Sequence, residues 1–269
     1  MLTLSFLGSF QAKLGGTPIQ EFESTKVRAL LSYLMMESEK PHSRDHLASL
    51  FWGNNDEAKS AKNMRQALSN LRKSIQDTNP EIPYLIVTPD SVQANKKNPN
   101  IWLDTQVFED LISACEMHPH RSITTCLLCN QRLEKAIELY RGAFLEGFVI
   151  KDSEYFQGWH TSRREYFHQK ALTALEYLAG YHQQRREYKK AIAYARRLVS
   201  MDEWREESHV LLMRLLSRDS QRSATIKQYQ KCCSILQKEF GVLPQPETEQ
   251  VYQQILTNAA TDAEQGTPP

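Results

Sequence analysis

From Trp102 onward, the chain carries apolar residues at the three- and four-residue spacing that is typical of amphipathic α-helices. Two of the junctions between these segments are short and polar, which favours antiparallel helix pairs. The predicted helices span residues 105–116, 131–143, 154–182, 186–200, 204–217, 220–238 and 247–258. More than half of the chain is therefore expected to fold without a sheet.

A weak internal repeat supports the stacking of these helices in pairs. Leu178 and Tyr181 recur 34 residues later as Leu212 and Leu215. This period is that of tetratricopeptide repeats, in which one helix pair buries its apolar face against the next. The sequence therefore predicts an all-α, tetratricopeptide-like domain.

The first hundred residues follow a different pattern. Residues 1–22 are rich in Leu, Phe and Gly, with alternating apolar positions and a Gly-Gly pair, which predicts short strands and a turn. The predicted elements that follow are helices at 25–38, 44–51 and 57–76 and a hairpin at 84–94. The order strands, helix, helix, helix, hairpin is typical of a winged helix-turn-helix with an additional N-terminal sheet.

A chain of 269 residues is long enough for two such domains. We predict a mainly α protein with a winged-helix DNA-binding domain (α+β) at 1–100, the all-α tetratricopeptide-like domain at 101–258, and a tail or linker at 259–269. No apolar stretch approaches the roughly 18 residues of a membrane span, and a signal peptide is not evident. We therefore expect a cytoplasmic protein with no membrane partner, whose five cysteines do not form structural disulfides.

The third predicted helix carries an unusual charge pattern. The formal net charge of the whole chain is +1, yet between Ala58 and Gln76 there are five basic residues and no acidic one. The polar residues opposite the apolar stripe are Lys59, Lys62, Asn63, Gln66, Ser69, Asn70 and Lys73. Such side chains can hydrogen-bond base edges in the major groove of double-stranded DNA. A solvated basic helix face is the alternative interpretation.

Five further basic residues are candidates for contacts to the DNA backbone. Arg65 and Arg72 flank the apolar stripe, a position that suits either a phosphate contact or packing against the protein. Lys26, Arg28 and Arg44 lie near the starts of the two preceding helices, from which backbone contacts often come. The predicted hairpin tip, residues 88–91, has no basic residue, so a minor-groove contact would require Lys96 or Lys97.

A cluster of cysteine and histidine residues follows the first helix of the second domain. Cys115 and His118 form one pair spaced by two residues, and Cys126 and Cys129 form another. Three thiolates and one imidazole suit a tetrahedral structural zinc ion, with His120 as a competing ligand. The alternative is an accidental cluster of apolar cysteines at two helix ends.

Several segments together resemble a known family of regulators. The segments at 25–31 (TKVRALL), 43–52 (SRDHLASLFW) and 61–72 (AKNMRQALSNLR) are similar to the DNA-binding part of the Streptomyces antibiotic regulatory proteins. The segments at 139–148 (LYRGAFLEGF) and 239–247 (EFGVLPQPE) are similar to the bacterial transcriptional activator domain that follows in that family. The resemblance covers residues 1–257 in the same order.

The resemblance implies an OmpR-type winged helix and a function in transcription activation. Members of that family bind promoter repeats and recruit RNA polymerase, so double-stranded DNA, RNA polymerase and a second copy of the chain on DNA are the expected partners. The protein is then expected at the nucleoid and not to be an enzyme. Large members append an ATPase, so a regulatory fragment of such a protein is an alternative. A tetratricopeptide-type adaptor for partner proteins is another, and an enzyme is favoured by the Cys/His cluster alone.

Overall fold

The computed structural model of the chain describes residues 1–79 and 81–265, with only the backbone for residues 258–265. The strands are β1 Leu2–Ser5, β2 Gln11–Leu14, β3 Thr17–Pro18, β4 His42–Ser43, β5 Leu85–Val87, β6 Ser91–Ala94 and β7 Ile101–Leu103. The α-helices are α1 Thr25–Met36, α2 Arg44–Trp52, α3 Glu57–Ser74, α4 Asp104–Glu116, α5 Leu127–Leu139, α6 Glu154–Gln184, α7 Tyr188–Met201, α8 Glu206–Arg218, α9 Arg222–Phe240 and α10 Pro246–Gln265. This confirms the predicted fold class, a mainly α chain with a winged helix at its N-terminus.

The bounds of two predicted segments differ in the structure. The helix expected at 131–143 is α5, which begins and ends four residues earlier, with Cys126 immediately before its first turn. The segment at 259–269 was predicted to be a tail or linker, but α10 continues to Gln265. Residues 266–269 lie outside the described residues.

The strands form two small sheets. In the first, the order is β3-β2-β1-β7, with β1 antiparallel to β2 and parallel to β7. In the second, the order is β4-β6-β5, and β5 and β6 form the predicted hairpin. The parallel pairing of Leu2 with Ile101 was not predicted, because it joins segments about a hundred residues apart.

The chain forms two compact units. One comprises Met1–Asp110 with Glu138–Gln169, and the other comprises Leu111–Ile137 with the chain from Lys170 onward. This division differs from the predicted boundary at residue 100, because residues 138–169 were assigned to the second domain. Backbone hydrogen bonds explain the difference: the Leu145 N–H donates to Phe6 O at 2.7 Å, which fixes the segment beside β1.

Asp104, the first residue of α4, anchors the first unit from inside. Its buried carboxylate accepts hydrogen bonds from the backbone N–H of Phe6 at 2.8 Å and of Leu7 at 3.0 Å. The Arg141 guanidinium lies 3.4 Å from the same carboxylate. Burial raises the pKa of Asp104, and the two N–H donors and Arg141 oppose that shift.

Glu37, at the C-terminal end of α1, ties the winged helix to the N-terminal part of α6 within the same unit. Its carboxylate accepts hydrogen bonds from Trp159 Nε1 at 2.7 Å and from Arg163 Nε at 3.0 Å. Burial acts to raise the pKa of Glu37, but these donors and the Arg163 charge outweigh it and hold the pKa below its usual value.

We expect Glu37→Gln to lower the free energy of unfolding by about 1–3 kcal/mol near neutral pH, because it removes hydrogen bonds to a charged group. A carboxylate with a lowered folded pKa contributes stability above its unfolded pKa of about 4.3 and loses it as the pH falls through the folded value. Urea denaturation near neutral pH and at about pH 3 should therefore show a difference from wild type that shrinks in acid.

Glu39→Gln is the matched control, because Glu39 forms an exposed ion pair with Lys96 that contributes little. Equal stabilities of the two variants at both pH values would contradict the role assigned to Glu37.

The second unit is built of stacked helices. Helix α7 packs against α8, and α8 packs against α9 and α10. The buried residues between α7 and α8 are Ala191, Ile192, Ala195, Val199, Leu212, Leu215 and Leu216. The repeat positions Leu178, Tyr181, Leu212 and Leu215 are all buried, as stacked helix pairs require. The tetratricopeptide assignment itself stays a prediction.

Candidate DNA-binding surface and Cys/His cluster

Helix α3 is held in place by its cap and by its apolar stripe. The Asp56 carboxylate accepts a hydrogen bond from the Lys59 N–H at 2.8 Å, which caps the first turn. Met64, Leu68 and Leu71 are buried where α3 packs against α1 and α2. The predicted stripe is confirmed, so the opposite side of the helix is fixed relative to the winged-helix core.

The exposed side of α3 is basic. From Ala58 to Ser74, its exposed polar residues are Lys59, Lys62, Arg65, Gln66, Ser69, Arg72 and Lys73, which we call the basic face. No carboxylate occurs between Ala58 and Gln76. The basic face therefore offers positive charge, one amide and one hydroxyl to solvent along about four helical turns.

Two predicted positions on α3 differ from expectation. Asn70 is buried, and its Oδ1 accepts a hydrogen bond from the Glu23 N–H at 3.2 Å, so its side chain is committed to the protein interior. Asn63 is half-buried on the same edge of the helix. Arg65 is exposed beside Gln66, so it is free to make the phosphate contact that was one of its two predicted roles. The asparagines are covered because the segment before α1 lies along one edge of α3. In the same segment, Glu21 O accepts a hydrogen bond from the Ser74 hydroxyl at 2.7 Å.

Arg72 combines exposure with an internal contact. Its guanidinium lies 3.6 Å from the buried carboxylate of Asp77, which in turn accepts the N–H groups of Tyr84 and Leu85. Arg72 therefore helps to join α3 to the hairpin, and about half of its side chain stays accessible.

Lys26 and Arg28 are occupied by contacts within the protein. Lys26 Nζ donates to Phe51 O at 2.6 Å and lies 5.5 Å from the centre of the Trp52 ring, at the C-terminal end of α2. Burial lowers the pKa of Lys26. The Arg28 guanidinium donates to Thr25 Oγ1 and lies 5.7 Å from the centre of the Phe148 ring. Neither cation is among the exposed residues of the winged helix.

Arg44 places a positive charge at the hairpin tip, which sequence reasoning missed. Its Nη2 donates to Thr88 O at 2.8 Å, and its backbone N–H donates to Asp90 O at 2.9 Å. Lys96 follows β6 at the other end of that strand and pairs with Glu39. The pairing of β4 with β6, which brings Arg44 to the tip, involves two residues per strand and gives no sequence signal.

Four of the five predicted metal ligands come together in the second unit. The donor atoms of His118, His120, Cys126 and Cys129 all lie within 4.8 Å of one another. His118 Nδ1 lies 3.6 Å from Cys126 Sγ and 3.5 Å from Cys129 Sγ. His120 Nδ1 lies 3.4 Å from His118 Nδ1 and 3.8 Å from Cys129 Sγ. We call this set the Cys/His cluster.

Cys115, predicted as a ligand, is not among the four donors that lie within 4.8 Å of one another. Cys115 is buried in α4, and its thiol lies 3.7 Å from the Cys129 carbonyl oxygen, which it reaches as a hydrogen-bond donor. His120, predicted as a competing ligand, takes the fourth position instead. The cause is helical geometry: Cys115 lies in the last turn of α4 and faces the core, whereas the two histidines follow the helix end.

Cys126 is the most acidic thiol of the cluster by its surroundings. It immediately precedes α5, and backbone N–H groups of the first turn, Cys129 foremost, lower its pKa. Burial, together with the neighbouring thiols of Cys126 and Cys115, raises the pKa of Cys129 to about 12. The cluster thus contains one partly exposed thiol, Cys126, just before α5, and one buried thiol, Cys129, in the first turn of that helix.

The winged helix with its basic face, joined to a helical region, defines a transcriptional regulator of the OmpR-like winged-helix class. The family model "Transcriptional regulatory protein, C terminal" matches residues 23–92, and "Bacterial transcriptional activator domain" matches residues 103–256, more than half of the chain. The chain therefore belongs to the bacterial transcriptional activator domain family and is a regulator of the Streptomyces antibiotic regulatory protein type.

Two relatives share this arrangement. The chain is 25% identical over 235 residues to the regulatory protein AfsR of Streptomyces coelicolor, a match that covers 87% of the chain and 22% of AfsR. It is also 25% identical over 244 residues to AfsR of Streptomyces griseus, with 90% and 23% covered. The chain thus spans less than a quarter of the length of these relatives.

A solved structure has the same fold. EmbR of Mycobacterium tuberculosis, solved in complex with a low-affinity phosphopeptide, superimposes with a TM-score of 0.69 at 19% identity. The match covers 96% of the chain and 65% of EmbR. Among the described residues, none of the helices is long and apolar enough to cross a membrane.

Proposed function

We propose that this regulator binds double-stranded DNA by placing the basic face of α3 in the major groove and thereby activates transcription. The observation that carries the proposal is the exposure of five basic side chains, with no carboxylate between Ala58 and Gln76, on the helix that a winged-helix protein uses for recognition. The family supports a role in regulation rather than in catalysis, and we expect the protein to act in the cytoplasm at the nucleoid.

The residues of the basic face divide by their position. Gln66 and Ser69 lie at its centre, where side chains of a recognition helix reach base edges. Lys59 and Lys62 lie in the N-terminal part of α3, Lys73 lies near its C-terminal end and Arg65 lies on its far edge, so these four suit phosphate contacts. Arg44 at the hairpin tip is a fifth candidate for a phosphate. Asn70, Lys26 and Arg28 are left out, because their polar groups are bound within the protein.

A comparison of Gln66→Ala with Lys62→Ala tests the proposal. With DNA from upstream of the gene, Gln66→Ala should weaken binding by about 1–3 kcal/mol and leave binding to random DNA unchanged, because it removes a base contact. Lys62→Ala should weaken binding to both DNAs and should lower the slope of log affinity against log salt by about 1 if it contacts a phosphate.

Gln11→Ala, at an exposed glutamine of β2, is the control for Gln66→Ala. Binding that is equal on both DNAs and unchanged in Lys62→Ala and Gln66→Ala would contradict the proposal and favour the adaptor alternative.

The helical unit is proposed to contact RNA polymerase and a second copy of the chain on repeated promoter sites. An exposed apolar group supports a protein-contact role: the rings of Trp204 and Phe240 lie 6.1 Å apart, and Val242 and Leu243 are exposed beside Phe240 in the chain. Aromatic residues of this kind are enriched at protein interfaces. Because the chain spans a fraction of AfsR, a regulatory part of a longer, ATPase-containing protein fits the same proposal.

A further inference from the structure

We propose that His118, His120, Cys126 and Cys129 bind one zinc ion that fastens the segment between α4 and α5. The ligands would be the two Nδ1 atoms and the two thiolates. The site lies wholly within the second compact unit and makes no use of the DNA-binding surface, so the proposal stands or fails independently of the proposed function.

The distances between the donor atoms are those of a tetrahedron around zinc. Bonds of about 2.3 Å to sulfur and about 2.0–2.1 Å to nitrogen separate two tetrahedral nitrogens by about 3.4 Å and a nitrogen from a sulfur by about 3.5–3.6 Å. His118 Nδ1 lies 3.4 Å from His120 Nδ1, 3.6 Å from Cys126 Sγ and 3.5 Å from Cys129 Sγ. Three of the six donor pairs thus already have the spacing that zinc requires, a fourth, His120 with Cys129, is 3.8 Å apart, and the remaining two lie within 4.8 Å.

The charge of the site also fits zinc. Binding of Zn²⁺ replaces the thiol protons of Cys126 and Cys129, so two protons pass to solvent and the metal with two thiolates is neutral. A neutral site suits Cys129, which is buried, whereas a third thiolate from Cys115 would leave a net negative charge in the interior. Two sulfurs and two imidazoles select zinc over the oxygen-preferring cations calcium and magnesium.

A bound zinc ion would stabilise the connection between α4 and α5. The segment from Met117 to Cys126 contains one 3-10 turn, Ile123–Thr125. Within the unit, Gln184 Nε2 donates to Thr124 Oγ1 at 2.8 Å, and Arg132 Nη1 donates to Ala114 O at 2.8 Å. A zinc ion would add four bonds that join the end of α4 to the first turn of α5, the kind of clip that stabilises a short segment.

Metal analysis of the purified full chain tests the site. We expect one zinc per chain, and, after exchange, a cobalt(II) spectrum with the absorption of a tetrahedral site that has two thiolate ligands. His120→Ala and Cys129→Ser should each lose most of the metal, whereas Cys115→Ser should retain it. The matched controls are His168→Ala and Cys233→Ser, which replace the same residue types outside the cluster.

Removal of the zinc by a chelator should lower the melting temperature of the full chain, with recovery on addition of zinc alone and not of magnesium. Two results would overturn the proposal: less than about a tenth of an equivalent of zinc with no cobalt spectrum, or metal that is lost in Cys115→Ser and retained in His120→Ala. The wild-type stoichiometry and spectrum do not depend on whether any variant folds.

Discussion

Simultaneous replacement of Lys59, Lys62, Arg65 and Lys73 with alanine should reduce the affinity for double-stranded DNA by about a hundredfold or more at roughly 0.1 M salt. Each phosphate contact contributes about 0.9 to the slope of log affinity against log salt, so the slope should fall by about 3–4 if all four contact phosphates. All four side chains are exposed on α3, so the fold should be retained.

A matched variant separates this effect from a loss of overall charge. Replacement of Lys189, Arg196, Lys227 and Lys231 with alanine removes the same number of exposed lysines and arginines from α7 and α9. This control should bind DNA almost as wild type does. Fluorescence anisotropy over a range of salt concentrations measures both variants, and equal losses of affinity would show that general charge, not the basic face, attracts the DNA.

Asp104→Ala should lower the free energy of unfolding by about 3–5 kcal/mol. The substitution leaves the N–H groups of Phe6 and Leu7 buried without an acceptor, and it removes the partner of Arg141. An unsatisfied buried donor costs about 1–3 kcal/mol, so two of them account for most of the expected loss. Asp104→Asn should cost less, since its amide oxygen can still accept one of the hydrogen bonds.

Asp110→Ala is the control on the same helix. Asp110 is exposed and accepts a hydrogen bond from the Gln106 side chain, so its loss should change stability by less than about 0.5 kcal/mol. Urea denaturation followed by circular dichroism measures all three variants. A loss in Asp104→Ala no larger than that in Asp110→Ala would show that the carboxylate does not anchor β1 to α4.

The sequence was sufficient to predict the elements whose signals are local. The apolar stripe of α3 lies within the element that it defines, so helical periodicity identifies it. The strands β4 and β7 were not predicted, since each is two or three residues long and pairs with a distant partner.

The predictions of the candidate sites also failed where a side chain's position depends on a segment distant in the sequence. The basic face was predicted as a whole, but Asn70 was placed on it because helical spacing alone cannot show that the segment at Glu23 covers that edge of α3. Arg44 was predicted as a backbone contact near a helix start, while its position at the hairpin tip depends on the pairing of β4 with β6.

The Cys/His cluster was predicted from residue types at short spacing, which fixed its location but not its members. The spacing of Cys115 from His118 equals that of Cys126 from Cys129, and this symmetry favoured Cys115 over His120, whereas the structure brings His120 into the group of four. The side-chain direction of Cys115, toward the interior of its unit and the Cys129 carbonyl, is a tertiary property that spacing does not contain.

Photo-crosslinking from α3 tests the central claim, that its basic face meets the DNA, most directly. A photoreactive amino acid in place of Ser69, which is exposed at the centre of the basic face, should crosslink to double-stranded promoter DNA. The same amino acid in place of Ser200, an exposed serine on α7, should give little crosslinking. If DNA crosslinks from Ser200 and not from Ser69, or equally from both, then α3 is not the recognition helix and the account is wrong.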